Sequence, residues 1–270
     1  MTSANGTETT TPVLAAEGVS KRFGPVEALH DVDFEVNAGE VVALVGDNGA
    51  GKSTLVKAIA GIYRPDAGSF FINGREVRIS NPSDATDLGI ATVYQDLALC
   101  DNLDVVENLF LGREQITPGA GELTHHLDET TMEQRTHELL DQLAVTIVDV
   151  RSEAGTLSGG QRQQVAIARS LLGDPKVVLL DEPTAALGVR QTRQVLDLIR
   201  RLAEQGNGVV VISHNLENVF AVADRIVVLR LGRVAGSFDA RSTSKQEIVA
   251  AITGAEEHRP ALVETVEGRV

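Results

Sequence analysis

Three short apolar runs, Leu14–Gly18, Val32–Val36 and Val41–Val45, alternate with turns near the start of the chain and predict strands. The last is apolar at every position, which suits a strand at the centre of a sheet covered on both faces. From Lys52 to about Gly61 the apolar positions Leu55, Ala58 and Ile59 recur at helical spacing and predict one buried helix face. Ser69–Asn73 then leads through the turn pair Asn73-Gly74 into Glu76–Ile79, a hairpin pattern. Between about 96 and 160 strand signals vanish. Helical patterns stand at Val105–Leu111 and Asp128–Leu143, separated by a Pro/Gly break over Pro118–Gly121. Strand and helix patterns alternate again from Gln161: helix Gln161–Leu172, strand Val177–Leu180, helix Arg190–Gln205, strand Val209–Ile212, helix Leu216–Ala223 and strand Ile226–Leu231. In Arg190–Gln205, Val195, Leu198, Ile199 and Leu202 form one stripe. The pattern predicts an α/β core with a helical lobe inserted into it. A polar tail over 1–12 and an acidic, aperiodic tail over 255–270 are expected to be disordered or loose, leaving 13–254 as the folded unit.

Composition sharpens this picture. The 270 residues are 43% hydrophobic but only 3% aromatic, so the core is aliphatic, as a buried parallel sheet requires. The formal net charge of −14 argues against broad contact with a phosphodiester backbone, so no nucleic-acid partner is expected. Cys100 is the single cysteine, which points to a reducing compartment. The first residues carry neither a basic start nor an apolar stretch, and no run of about 18 apolar residues occurs anywhere. A soluble, cytoplasmic chain is expected, with any membrane role exerted through a partner.

The run Gly46-Asp47-Asn48-Gly49-Ala50-Gly51-Lys52-Ser53-Thr54 follows an apolar strand and opens a helix. That context fits a phosphate-binding loop: glycines let backbone N–H groups curl around a β-phosphate, and the helix N-terminus adds positive potential. Lys52 then reaches the β- and γ-phosphates of ATP, and the Ser53 hydroxyl is a ligand for Mg²⁺. Val177–Leu180 ends in Asp181 and Glu182, a buried strand that delivers two carboxylates where open α/β sheets bind ligands. Asp181 is the candidate Mg²⁺ holder and Glu182 the candidate base for an attacking water.

Leu157-Ser158-Gly159-Gly160-Gln161-Arg162-Gln163 resembles the signature motif of ABC ATPases. The resemblance covers about Leu14 to Gly254 and implies a P-loop NTPase core with an antiparallel β subdomain and an inserted α-helical subdomain. It also implies that Ser158, Gly159, Gly160 and Gln161 serve the ATP held by a second ATPase subunit, so that two chains sandwich two nucleotides. Three single residues acquire roles through the resemblance alone. Gln95 matches a glutamine that contacts Mg²⁺ and links core to lobe, His214 a histidine that contacts the γ-phosphate, and Phe23 an aromatic that stacks on adenine. The family commonly shows Ser-Ala-Leu-Asp where this chain has Ala185-Ala186-Leu187-Gly188. Gly188 has no carboxylate, so coupling between the two sites is expected to be weaker or to run through backbone.

Tyr94–Glu114 and Thr184–Thr192 are similar to the simple-sugar (ribose, xylose, fructose) uptake group, and the single cassette points to a homodimer. That resemblance implies membrane permease subunits as partners, an extracytoplasmic sugar-binding protein as an indirect one, and a peripheral position at the cytoplasmic face of the membrane. Leu97, Leu99, Leu103, Val105 and Phe110 then include candidates for a groove gripping a permease helix. Three other readings stay open: an importer or exporter cassette for another cargo, a non-transport ABC ATPase, and a nucleotide-binding module that does not turn over.

Overall fold

A computed structural model of the chain describes residues 11–117 and 126–255. Strands β1 (Leu14–Phe23), β2 (Val26–Val36) and β3 (Val41–Val45) come first. Helix α1 (Lys52–Ile59), the hairpin of β4 (Ala67–Ile72) and β5 (Arg75–Val77), helix α2 (Pro82–Asp87) and β6 (Ile90–Val93) follow. The helical stretch holds α3 (Val105–Phe110), α4 (Glu129–Gln142) and α5 (Gly159–Leu171). Alternation then resumes with β7 (Val177–Asp181), α6 (Val189–Glu204), β8 (Gly208–Ile212), α7 (Leu216–Val222) and β9 (Arg225–Arg230). Strand β10 (Arg233–Asp239) and helix α8 (Lys245–Thr253) close the described chain.

Two sheets result, an antiparallel one in the order β2-β1-β4-β5 and a six-stranded one in the order β10-β9-β3-β8-β7-β6. In the second, β9, β3, β8, β7 and β6 run parallel and only β10 is antiparallel. The expected α/β core, antiparallel subdomain and helical lobe are all present. The tail over residues 1–10, the Pro118–Gly121 break and residues 256–270 lie outside the described residues.

β3 is apolar throughout because both of its faces are covered. Val42 and Leu44 pack with β1, β2 and α1, whereas Val41 packs with α5 and α6, and Ala43 and Val45 lie under α7 and α8. The stripe Val195, Leu198, Ile199 and Leu202 is buried on α6 as its spacing predicts. Four elements have no counterpart in the pattern reading, the first being the four-residue strand β6, which gains its place by pairing with β7. Strand β10 alternates only weakly and gains its register by pairing with β9, while α2 and α8 are short helices, each with one buried residue. Their caps are nonetheless written in the sequence: Asn81 before Pro82 for α2, and a Ser244–Glu247 capping box for α8.

The lobe shares its apolar core with the main sheet. Val105, Val106, Leu109 and Phe110 of α3 and Met132 and Leu140 of α4 join the cluster that contains Val178 and Val211. Val105 and Phe110 are therefore core residues and not part of an exposed groove, while Leu97 and Leu99 are only partly buried against that core. α5 holds the connector between β6 and α3 along its flank. Arg162 Nη2 donates to Asp101 Oδ1 at 2.6 Å, and Arg169 Nη1 donates to the Ala98 carbonyl at 2.9 Å.

Asn108, fully buried, ties the same connector from the α3 side. Its Oδ1 accepts from Cys100 N at 2.8 Å, and its Nδ2 lies 3.0 Å from Cys100 O, 3.1 Å from Leu103 O and 2.9 Å from Asp104 O. Each of those carbonyls has a second backbone donor, from Leu103, Ala154 and Asn108 respectively, so truncation orphans chiefly the Cys100 N–H. Asn108→Ala is expected to cost about 2–4 kcal/mol through that orphan and the cavity left behind. A denaturant titration checks this by its midpoint shift.

Candidate nucleotide site

The six-stranded sheet brings the predicted residues to one edge. Its registers pair Leu44 with Ile212, Asp181 with Ile212, and Val93 with Leu180. The chain therefore leaves β3 at Gly46, β7 at Glu182, β8 at Ser213-His214 and β6 at Tyr94-Gln95 along a common carboxyl edge. Gly46 to Thr54, Gln95, Asp181, Glu182 and His214 come from strands that are direct neighbours.

The loop after β3 needs glycine at two positions. Gly46 has φ +151°, and a Cβ there would collide with the Leu229 carbonyl oxygen. Gly51 has φ +107°, and a Cβ would stand 2.7 Å from the Ala28 carbonyl and 2.9 Å from Leu29. β9 and β2 thus hold the loop from both sides, and no side chain larger than hydrogen fits. Lys52 turns back into the loop, its Nζ donating to the carbonyls of Gly46 and Asp47 at 2.9 Å each. Asp47, Asn48, Gly49 and Ser53 are exposed, Thr54 is half-buried, and Ala50 is buried, its carbonyl accepting from Gly232 N at 3.0 Å.

Charge in this corner is crowded. Burial pushes the Lys52 ammonium below the ordinary lysine value, opposed by the carboxylates of Glu182, Asp47 and Asp181. Burial likewise pushes the Asp181 carboxyl up, reinforced by Glu182 and opposed by Lys57 and Lys52. Glu182 has φ +51°, a left-handed conformation that costs about 1–3 kcal/mol in a residue with a Cβ. Its backbone N–H is held by Ile212 O at 3.0 Å, and its Oε1 lies 2.9 Å from His214 Nδ1. Among the described residues, Oε2 of Glu182 is a buried side-chain oxygen with no hydrogen-bond partner. A strained backbone that holds a buried carboxylate oxygen without a partner is the arrangement expected of a group awaiting a ligand.

Phe23 ends β1 and is 42% exposed. Its ring meets the edge of Tyr63 at 5.1 Å between centroids and 72° between planes. Gln95 is exposed one residue beyond Tyr94, past the end of β6.

The signature segment lies elsewhere. Ser158 caps α5 in a reciprocal box, its Oγ accepting from Gln161 N at 3.4 Å and its own N–H donating to Gln161 Oε1 at 3.1 Å. Ser158 and Gln161 line a cleft with Gln191 and Arg190, whereas Gly46, Asp47 and His214 line another. The two clefts share no residue, so one copy does not bring its signature onto its own phosphate loop.

Gly188 caps α6 with φ −70° and ψ 163°, an ordinary extended conformation, and a Cβ there would meet only Gln191 Oε1 at 3.5 Å. An aspartate fits without strain. Gly188→Asp is expected to leave the fold intact, raise helix stability by a few tenths of a kcal/mol through the cap, and steepen the Hill slope of ATP hydrolysis. An unchanged slope would assign the coupling to groups already present.

Some contacts at this edge have no signature in single-residue reading. Thr184 Oγ1 accepts from Asn218 Nδ2 at 3.0 Å, which joins the turn after Glu182 to the helix that follows His214. Tyr63 beside Phe23 carried one signal, being one of only two tyrosines in an aromatic-poor chain.

The ABC transporter family model matches residues 29–185. A fructose import ATP-binding protein of Rhizobium meliloti is 45% identical over 248 residues, covering 91% of this chain and 95% of the relative. A xylose/arabinose import ATP-binding protein of Sulfolobus acidocaldarius is 44% identical, covering 89% and 94%. A ribose import ATP-binding protein of Rubrobacter xylanophilus is 44% identical over 90% of this chain but only 47% of its own length. Among solved structures, the ADP conformation of an ABC transporter cassette superposes with a TM-score of 0.77 at 28% identity, covering 91% of this chain and 96% of that one. A dimeric post-hydrolysis cassette bound to ADP and Pi gives 0.70 at 27% identity, covering 85% and 100%. Phosphate loop, strand-end carboxylates, signature helix and these matches agree: the chain belongs to the ABC transporter family and has the ABC ATPase fold.

Proposed function

We propose that this chain is the ATP-hydrolysing subunit of an importer for a simple sugar, working as one of two identical cassettes beneath a membrane permease. The observation that carries the reading is that Ser158 and Gln161 at the start of α5 line one cleft and the loop residues Gly46–Asn48 another, with no residue in common. The full-length matches to cassettes named for fructose and xylose/arabinose import support the sugar. No helix among the described residues is long and apolar enough to cross a membrane.

Within the site, the backbone N–H groups of Gly46–Thr54 and the Lys52 ammonium bind the phosphates of ATP, and Phe23 stacks on its base. Glu182 takes a proton from the attacking water at the oxygen left without a partner. His214 orients Glu182 through their 2.9 Å contact. Ser53, Asp181 and Gln95 offer the hard oxygen donors that Mg²⁺ takes, and a carboxyl pushed up by burial is one that a cation would keep ionised. When bound, the ion neutralises charge on the phosphate oxygens. Ser158, Gly159, Gly160 and Gln161 meet the nucleotide of the second subunit. The lobe after Gln95 transmits closure to the permease.

Mixing two inactive chains tests the composite site. Lys52→Ala keeps the signature and loses the phosphate loop, while Ser158→Phe does the opposite. Neither is expected to turn over alone. An equimolar mixture is expected to recover up to about a quarter of wild-type activity, since half of randomly paired dimers carry one intact composite site. No recovery would remove the composite reading. Sugar-stimulated ATPase of the chain co-purified with its permease tests the cargo, and stimulation by a non-sugar alone would remove it.

A further inference from the structure

The two glycines of the signature do not pack against their own helix's surroundings alone. A Cβ on Gly159 would lie 3.5 Å from Leu187 Cδ2, and a Cβ on Gly160 would lie 2.9 Å from both Cβ and Cγ of Gln191. The side chain that rests on Gly160 also reaches back along α6. Gln191 Oε1 accepts from the Gly188 N–H at 3.0 Å. One half-buried side chain therefore touches the start of the signature helix with its methylenes and the start of α6 with its amide. The same turn is joined at its other end to the helix after His214 by Thr184 and Asn218.

We propose that Gln191 is a positioning residue that holds the signature N-terminus and the Gly188 turn as one unit, taking over the tie that a side chain at 188 does not provide. This rests on the composite-site reading above. Gln191 lines the same cleft as Ser158 and Gln161. Its effect is exerted through Ser158–Gly160 on the phosphate held by the other subunit, where a small misplacement lowers the rate steeply. Glutamate at this helix position keeps both the methylenes against Gly160 and an oxygen for the Gly188 N–H, so it preserves the tie. Alanine removes both.

The mixed dimer supplies the test. Gln191→Ala is placed either in the Lys52→Ala chain, which donates the signature to the intact site, or in the Ser158→Phe chain, which donates the phosphate loop. In the signature donor it is expected to lower kcat about tenfold with KM for ATP within about twofold. In the phosphate-loop donor the recovered rate is expected to stay within about twofold, and Gln191→Glu in the signature donor is expected to restore it. Equal losses in both placements, an unaffected rate in both, or no rescue by glutamate would each overturn the assignment. Failure of the parental pair to complement would instead remove the composite site, and the role of Gln191 with it.

Discussion

Glu182→Gln is expected to lower ATP turnover by a factor of about 10² to 10⁴ while nucleotide still drives the chain into a dimer. Glutamine has the shape of glutamate, so the left-handed backbone at 182 and the contact with His214 Nδ1 both survive. What changes is the second oxygen, which is buried without a partner in the wild type. As an oxygen it accepts a proton from water, and as an amide NH₂ it presents protons where one has to be received. Binding groups on the phosphate loop are untouched, so the ATP-bound state accumulates. Single-turnover hydrolysis and light scattering with ATP read the two halves separately. A normal single-turnover rate would remove Glu182 from its role.

Lys52→Ala has the opposite profile, with the loss falling on affinity. The ammonium is pinned to two loop carbonyls and faces three carboxylates, so it is held in place before any phosphate arrives. A charge-assisted hydrogen bond of this kind contributes about 1.5–3 kcal/mol, which predicts a loss of roughly tenfold to a hundredfold in ATP affinity. Lys52 also opposes the upward push of burial on the Asp181 carboxyl, so without it that carboxyl moves further up. The affinity loss should therefore shrink as pH rises and Asp181 ionises again. A titration with a fluorescent nucleotide at two pH values checks both statements, and unchanged affinity would contradict them.

Much of this site was legible because it is local. A glycine-rich loop between an apolar strand and a helix, or two acids closing a run of four apolar residues, carries its context within a dozen positions. The apolar runs at β3, β7 and β8 were legible for the same reason, since full burial leaves no polar position to confuse the period. Elements stabilised by pairing or docking were not. β10 owes its register to β9, and α8 buries only Ile248, so neither has a pattern strong enough to stand alone. In the lobe, Val105 and Phe110 carry no local mark of what covers them: an apolar side chain on a short helix reads the same whether it meets a partner or the core. Gln191 lies beyond local reading altogether, because its contact with Gly160 spans two helices distant in sequence.

The two arginines that α5 sends to the β6–α3 connector are seven positions apart, two turns along one side of the helix. Asn108 grips the same connector from α3. A segment fastened at several points along its length moves with the helices that carry it. Whatever displaces the connector between Ala98 and Asp104 therefore pulls on the signature helix as well. If two copies share each nucleotide as proposed, the timing between them follows the opening of this helical block and not the motion of one loop.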